Sequence, residues 1–282
     1  MGKVIMSGIV PQLKAPETLP AIGTALNDMT WEQIRMISDA GQAANYFSVG
    51  DAKSLTINGT VGATTFSNLS IDAFIIGIDH NSAKEGANRI HFKIGKISGT
   101  HVALIDSAYD NVKSSSGYFN MNTSNKNTGG WKSCALRTVV LGSDSNPLSP
   151  TANTLLAALP SDLRAVMKSV VKYSDNTGGG TNTASYVTDT TDYLPLLAEF
   201  EVQGSRTNAN SAEQNYQEQY AYYKAGNTKV HQKHNATSTY LDAWCRSVYA
   251  GQTGNFCVTN RFGSSNYIAA SYSKGVSPLF CV

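Results

Sequence analysis

The chain has 282 residues, with 22 Lys and Arg against 20 Asp and Glu, for a formal net charge of +2. Only 15% of its residues are charged, while Ser, Thr, Asn and Gly together supply 102; a globular domain is usually about a quarter charged. A hydrophobic share of 41% excludes a highly charged disordered chain, and the lack of clustered Lys and Arg argues against nucleic-acid binding through bulk charge. Few charges among many hydroxyls and amides is a composition associated with extracellular or virion-type β-rich proteins.

Residues 1–29 carry Pro11, Pro16 and Pro20 without a clear period and read as an extended arm or attachment segment. Thr30-Trp31-Glu32-Gln33 is a capping-box pattern, and the apolar spacing of Trp31, Ile34 and Ile37 predicts a helix over about 31–40, stopped by Gly41. From 46 to 110 the period changes to that of strands. Residues 54–59 alternate and end in Asn58-Gly59, read as a turn. Residues 74–78 form an apolar run suited to a buried strand. Ile90, Phe92 and Ile94 share one face of another, and 102–105 is a fourth. A Ser/Asn/Thr/Gly loop follows at 111–130.

The 155–173 segment reads as helix in two pieces, broken at Pro160, with Ser161 as a cap and Leu163, Val166, Met167 and Val170 as its apolar stripe. Residues 174–192 read as loop and 194–202 as strand. Ser211 opens a third helix, with Tyr216, Tyr220 and Tyr223 on one face and Gly226 as its stop. The last 40 residues read as short strands joined by loops. The class is therefore α+β, in two parts: an arm over 1–29 and one elaborated domain over 30–282.

No run reaches the ~18 consecutive apolar residues that span a bilayer, so membrane insertion is not expected. The N-terminus lacks a signal-peptide h-region, and export would use another route such as lysis. Cys134, Cys245, Cys257 and Cys281 form no C-x-x-C pair; small buried hydrophobes are the default reading, with a disulfide the less favoured one.

Chemistry is mostly missing. His231 and His234 lack the companion Glu of a zinc-protease helix, so a solvated surface is the better reading. His91 and His101 sit among apolar strand residues as core or edge histidines. Asp189, Asp192, Glu199 and Glu201 form a loose acidic group; capping or ion pairing is the favoured reading over acid–base work by a carboxylate pair, and Arg137 and Arg246 are candidate partners in the core. No nucleophile elbow, P-loop or dinucleotide fingerprint occurs. No catalytic residue and no cofactor is therefore expected, and the chain is read as not an enzyme.

The run Gly129-Gly130-Trp131-Lys132-Ser133-Cys134-Ala135-Leu136-Arg137 is distinctive. It is followed by Leu196-Leu197-Ala198-Glu199-Phe200-Glu201, the tyrosine-rich segment, Trp244-Cys245-Arg246-Ser247 and the ending Gly275-Val276-Ser277-Pro278-Leu279-Phe280. This series, in this order over about 30–282, resembles a domain family of Firmicutes and their phages whose members look like tail-associated adhesins, and the chain as a whole looks like phage proteins of gut bacteria; the resemblance implies a C-type-lectin-like fold with short twisted antiparallel strands, about three helices and long loops. The C-terminal part resembles the variable region of the target proteins of diversity-generating retroelements. In those proteins adenine-directed reverse transcription varies the ligand-facing residues on a fixed scaffold. Cys245 departs from the family, which often shows Leu or Trp there.

Carried over by position, the resemblance implies that Trp244, Arg246, Ser247, Gly275, Val276, Pro278 and Phe280 are scaffold. It places a variable ligand-binding region at about 244–282, with Tyr249, Thr253, Asn255, Arg261, Phe262, Asn266, Tyr267, Ile268, Ser271 and Tyr272 facing the ligand. Gln252 and Lys274 fit poorly, because an adenine change in an Asn codon does not produce them. These residue types suit a paratope independently, with rigid aromatics beside adaptable polar groups; the bland alternative is a β core of inward-packing aromatics.

The resemblance implies a phage or prophage tail receptor-binding protein for host recognition, located on the virion or released by lysis. Its partners would be a bacterial surface protein or glycan and other tail proteins, in a homotrimer. The calcium signatures of sugar-binding lectins are absent, so calcium-dependent sugar binding is not implied; a structural Ca²⁺ stays open. The alternatives are an enzyme on a formylglycine-generating-like fold, which needs a reactive Cys, and a purely structural virion protein.

Overall fold

A computed structural model describes residues 25–282; most of the expected arm, with its three prolines, lies outside the described residues. The helix expected after Thr30 runs Trp31–Asp39 (α1). Thr30 Oγ1 accepts the Gln33 N–H at 3.2 Å and Gln33 Oε1 accepts the Thr30 N–H at 2.9 Å, closing the capping box. Trp31, Ile34 and Ile37 are its buried face. Trp31 meets Phe92 and Phe280 edge-on, at 5.4 and 5.7 Å between centroids. Residue 30 is not where the packed body starts. Leu26 and Met29 are already buried in the same core, and Lys53 Nζ donates to the carbonyls of Asn27 and Met29.

The strands in chain order are β1 (Ala52–Val61), β2 (Thr64–Ile78), β3 (Ile90–Ile97), β4 (Thr100–Ala103), β5 (Val170–Asp175), β6 (Val187–Asp192), β7 (His231–Lys233), β8 (Ala236–Leu241), β9 (Ala243–Val248), β10 (Asn255–Thr259), β11 (Ser265–Ala269) and β12 (Leu279–Cys281). The main sheet has seven strands in the order β1-β2-β3-β4-β7-β8, with β12 also paired to β3. β3 is its axis: Phe92 faces Phe280 while Lys93 faces Leu279. Both faces are covered. Phe92, Ile94 and Phe280 enter the larger core, and Phe74, Ile76, Leu279 and Cys281 enter a second core with Tyr220, Tyr222 and Tyr223. The alternation in residues 90–95 therefore marks one core face, and the other face is buried as well, not solvated. Separate sheets are β11-β10-β9 and the hairpin β5-β6.

Helix and sheet are mixed, in keeping with an α+β class. Other local expectations are corrected. Asn58-Gly59 makes no turn; it lies within β1, where Gly59 (φ +138°) marks a register shift, and the chain reverses after Val61 instead. The 155–173 segment does split at Pro160, but Pro160 rather than Ser161 is the N-cap, and Val170 opens β5. The segment 174–192 is not all loop, since β6 pairs with β5 along its length.

Residues 194–202 are not a strand. Leu194–Ala198 are irregular and Glu199–Gln203 form a short helix, because Glu201 turns back to accept the Ala198 N–H at 2.9 Å. The tyrosine segment is not one helix either. It is a 3-10 turn (Ser211–Asn215) and a four-residue helix (Ala221–Lys224), with extended backbone at Tyr220 between them. That break turns Tyr220 into the core and leaves Tyr216 stacked on Tyr173. In place of about three helices there are eight short α segments among the described residues, and only α1 exceeds six residues. Nor are all strands short and antiparallel: β2 has 15 residues, and β4 pairs with β7 in parallel.

Candidate ligand-binding surface

β9 carries the sequence Ala-Trp-Cys-Arg-Ser-Val and is buried throughout. Trp244 Nε1 donates to the Phe119 carbonyl at 2.8 Å. Arg246 is fully enclosed and donates to Glu201 through Nη1 and Nη2 (2.7 Å for Nη2), to Ser174 Oγ and to the Leu196 carbonyl. Lys172 joins this centre, 3.0 Å from Glu201, 2.6 Å from Glu85 and 2.7 Å from the Tyr220 hydroxyl. Ser247 Oγ donates to Glu213, which also accepts the Asp175 N–H. The Arg246 guanidinium and Lys172 ammonium hold Glu201 ionised far below the usual carboxylate range, against the cost of its burial. Burial pushes Glu85 and Glu213 up to about 7. Arg137 makes the second expected pair, donating to Asp192 at 2.7 Å, while Asp189 is exposed and unused.

His80, Glu85 and Glu201 converge closely enough to suggest a metal. Glu201 is already saturated by Arg246, Lys172 and the Ala198 N–H. Two fixed cations stand within the same shell, so Lys172 fills the electrostatic role a metal would take. His80, stacked on Tyr220 at 3.7 Å, is depressed to about 3, by burial first and the Lys172 charge next. His231 is not on a solvated surface as expected. It is buried on β7 and hydrogen-bonded to Lys93 Nζ at 2.6 Å, and burial lowers Lys93 to about 7. His234 Nδ1 accepts the Ile105 N–H at 3.2 Å.

All four cysteines are buried and unbonded. Burial pushes Cys134, Cys245 and Cys281 up to about 12 and raises Cys257 strongly, the reverse of an activated thiolate.

Outward from this core runs the β10-β11 hairpin with its 260–264 tip. The Asn260 side-chain oxygen accepts the N–H groups of Phe262 and Ser264, and Asp242 accepts the Arg261 N–H at 3.0 Å. The tip is thus pinned through its backbone N–H groups by the Asn260 and Asp242 side chains, and the side chains of Arg261 and Phe262 are free of these bonds. Phe262 is 75% exposed. It overhangs a groove of about 570 Å³ on the sheet face, with a lining that includes His101, Val230, Gln232, Tyr240 and Arg261. Tyr240, on β8, is 56% exposed.

The ten residues expected at the ligand fall in several places. Arg261 and Phe262 line the groove. Tyr249 and Tyr267 stack face to face, 3.8 Å apart and 4° from parallel. Strand alternation turns Asn266 and Ile268 to the opposite side of β11, and Ile268 packs against the larger core. Thr253 is exposed, and Asn255 donates to Gln252 Oε1 at 3.1 Å. The carbonyls of Tyr249, Gln252 and Asn255 all accept from the Nδ2 of the buried Asn127, so this loop is anchored from beneath. Tyr272 is half-buried. Ser271 is not at the surface: at 3% exposure it donates its hydroxyl to Asn125 Oδ1. Lys274 is likewise buried, paired with Asp110 and Asp242.

Sequence reasoning missed the other half of the groove, namely His101, Val230, Gln232 and Tyr240, which lie outside 244–282. The only hint was the hydroxyl-rich run Thr237-Ser238-Thr239-Tyr240, whose four residues are all exposed.

No curated protein and no solved structure matches the chain. The family described as Domain of unknown function (DUF6273) matches residues 102–282, from within β4 to the last residue, and so takes in the buried ionic centre's Arg246, Lys172 and Glu201, the hairpin and most of the groove. That match extends over more than half the chain, which therefore belongs to the DUF6273 family.

Proposed function

We propose that this chain is an adhesin or receptor-binding protein, displayed on a phage or prophage tail, that offers its hairpin tip and groove to a ligand on a bacterial surface. The observation that carries the reading is Phe262, held 75% exposed on a pinned turn beside a free Arg261 and a groove. An aromatic kept out of the core at such a place gains most when a partner covers it. A C-type-lectin-like scaffold with a retroelement-varied C-terminus is part of this proposal. The burial pattern supports it: the seven implied scaffold positions are all buried, and nine of the ten implied variable positions reach the surface wholly or partly. Homotrimeric assembly with other tail proteins is proposed by analogy of architecture alone.

The buried, high-pKa thiols speak against the enzyme reading, which needs a reactive Cys. A structural virion protein would bind no cell. The test is binding of labelled protein to a panel of gut bacteria. Arg261→Ala/Phe262→Ala should reduce binding about tenfold or more while the melting temperature moves by no more than about 2 °C. Undiminished cell binding by the double variant would refute the placement of the site, and no binding of the wild type to any host would favour the structural reading.

A further inference from the structure

We infer that the groove beneath the hairpin tip is a calcium-independent subsite for a saccharide unit that carries a carboxylate. The inference rests on the binding function proposed above and names its ligand class. Three observations combine. Two aromatic side chains, Phe262 and Tyr240, border the groove and are more than half exposed; flat apolar faces of this kind stack on the C–H face of a sugar ring and leave its hydroxyls to polar groups. Those groups are present: Thr100, Thr228 and Gln232 line the groove.

The third observation is charge. Arg261 is, among the described residues, the only Lys, Arg, Asp or Glu in the lining. Among the described residues its guanidinium has no carboxylate within salt-bridge reach; it lies 5.2 Å over the Phe262 ring. The nearby Asp242 carboxylate is taken by Lys274 and by the Arg261 backbone N–H. His101, depressed to about 3 chiefly by burial, adds no positive charge at neutral pH. One free planar fork matches one carboxylate in a bidentate pair, whereas a polyphosphate would call for several cations. With no carboxylate in the lining, the groove lacks the charged oxygens on which Ca²⁺ sites are usually built. The volume of about 570 Å³ falls within the roughly 300–1,000 Å³ of small-ligand sites.

The experiment is an array of glycans in matched sets, with uronic or sialic acid units, neutral counterparts and sugar phosphates, probed with the full chain in the presence of EDTA, beside the cell-binding assay. The expected result is selective binding to the carboxylated members. Arg261→Gln should weaken that binding about tenfold or more and leave neutral members unchanged, and Phe262→Ala should abolish both. Preference for neutral sugars or phosphates, loss of binding in EDTA, or no glycan bound would each overturn the inference. If cell binding persists while the array is blank, the ligand is of another class and the binding function stands; if both are absent, both fall.

Discussion

Glu201→Gln tests whether the buried ionic centre holds the fold. The wild-type carboxylate neutralises two enclosed cations, receiving Arg246 through both terminal nitrogens and Lys172 at 3.0 Å, and it also accepts the Ala198 N–H. An amide keeps the shape but removes the charge and aims two N–H donors at donors. Lys172 retains Glu85; Arg246 retains only the neutral acceptors Ser174 Oγ, the Leu196 carbonyl and a longer contact to the Tyr173 carbonyl. Breaking one side of a buried pair costs about 3–5 kcal/mol. In a domain of this size each kcal/mol is worth about 2–4 °C in melting temperature, so a fall of roughly 10 °C is expected by differential scanning calorimetry. The double variant Glu201→Leu/Arg246→Leu removes both charges and should lose less than the sum of its single variants. A fall under about 3 °C for Glu201→Gln, or strict additivity in the double variant, would show that the pair is replaceable packing.

Other expectations follow from the same interior. The folded pKa values of His80, His91 and His231 lie below their unfolded values, so the stability they confer is full above about pH 6.5 and is lost as pH falls. Glu85 and Glu213, raised to about 7, act oppositely between about pH 7 and 4.5, but His101 and His234 are depressed as well, so the histidines outnumber them; melting temperature should therefore fall gently from about pH 6.5 and more steeply below about pH 4.5, and a rise across that interval would contradict the assignment. A thiol reagent should modify none of the four cysteines in the native protein and all four in denaturant, read by intact mass; one fast-reacting native thiol would reopen the enzyme reading. Gly62→Ala should destabilise markedly, since φ is +57° and a Cβ would stand 1.9 Å from the Gly117 carbonyl oxygen; a variant melting like the wild type would mean that this loop contact yields.

The readable parts of the sequence were those where local chemistry decides. The capping box at Thr30 and the break at Pro160 are short-range signals. The pairing of Arg137 and Arg246 with core carboxylates followed from their place behind runs of aromatic and apolar residues, where an enclosed charge needs a partner. The tyrosine helix failed because spacing cannot show that Tyr220 is claimed by Lys172 and His91, both distant in sequence, which draws the backbone into an extended step. The 111–130 loop looked like low-complexity filler, yet Asn125 and Asn127 fasten the C-terminal loops through long-range hydrogen bonds. The groove was invisible because half of it comes from β4, β7 and β8, joined by pairing that no local pattern encodes.

The position of the rigid centre bears on recognition. Glu199, two residues from Glu201 on the same short helix, accepts the backbone N–H groups of Thr207, Asn208 and Ala209 and the hydroxyl of Ser265 on β11. The same helix therefore ties the ionic centre to the tip end of the hairpin, and the side chains of Arg261 and Phe262 can vary without disturbing the turn that presents them, because that turn is fixed by Asn260 and Asp242. Alternation along β11 adds a limit. Tyr267 stacks with Tyr249 on one side, Asn266 and Ile268 face the other, and Arg261 and Phe262 overhang the groove. A single small ligand cannot touch all of these. Substitutions at Arg261 and Phe262 should change what enters the groove, while those at Tyr249, Thr253 and Tyr267 should change contacts only with a ligand large enough to reach around the hairpin.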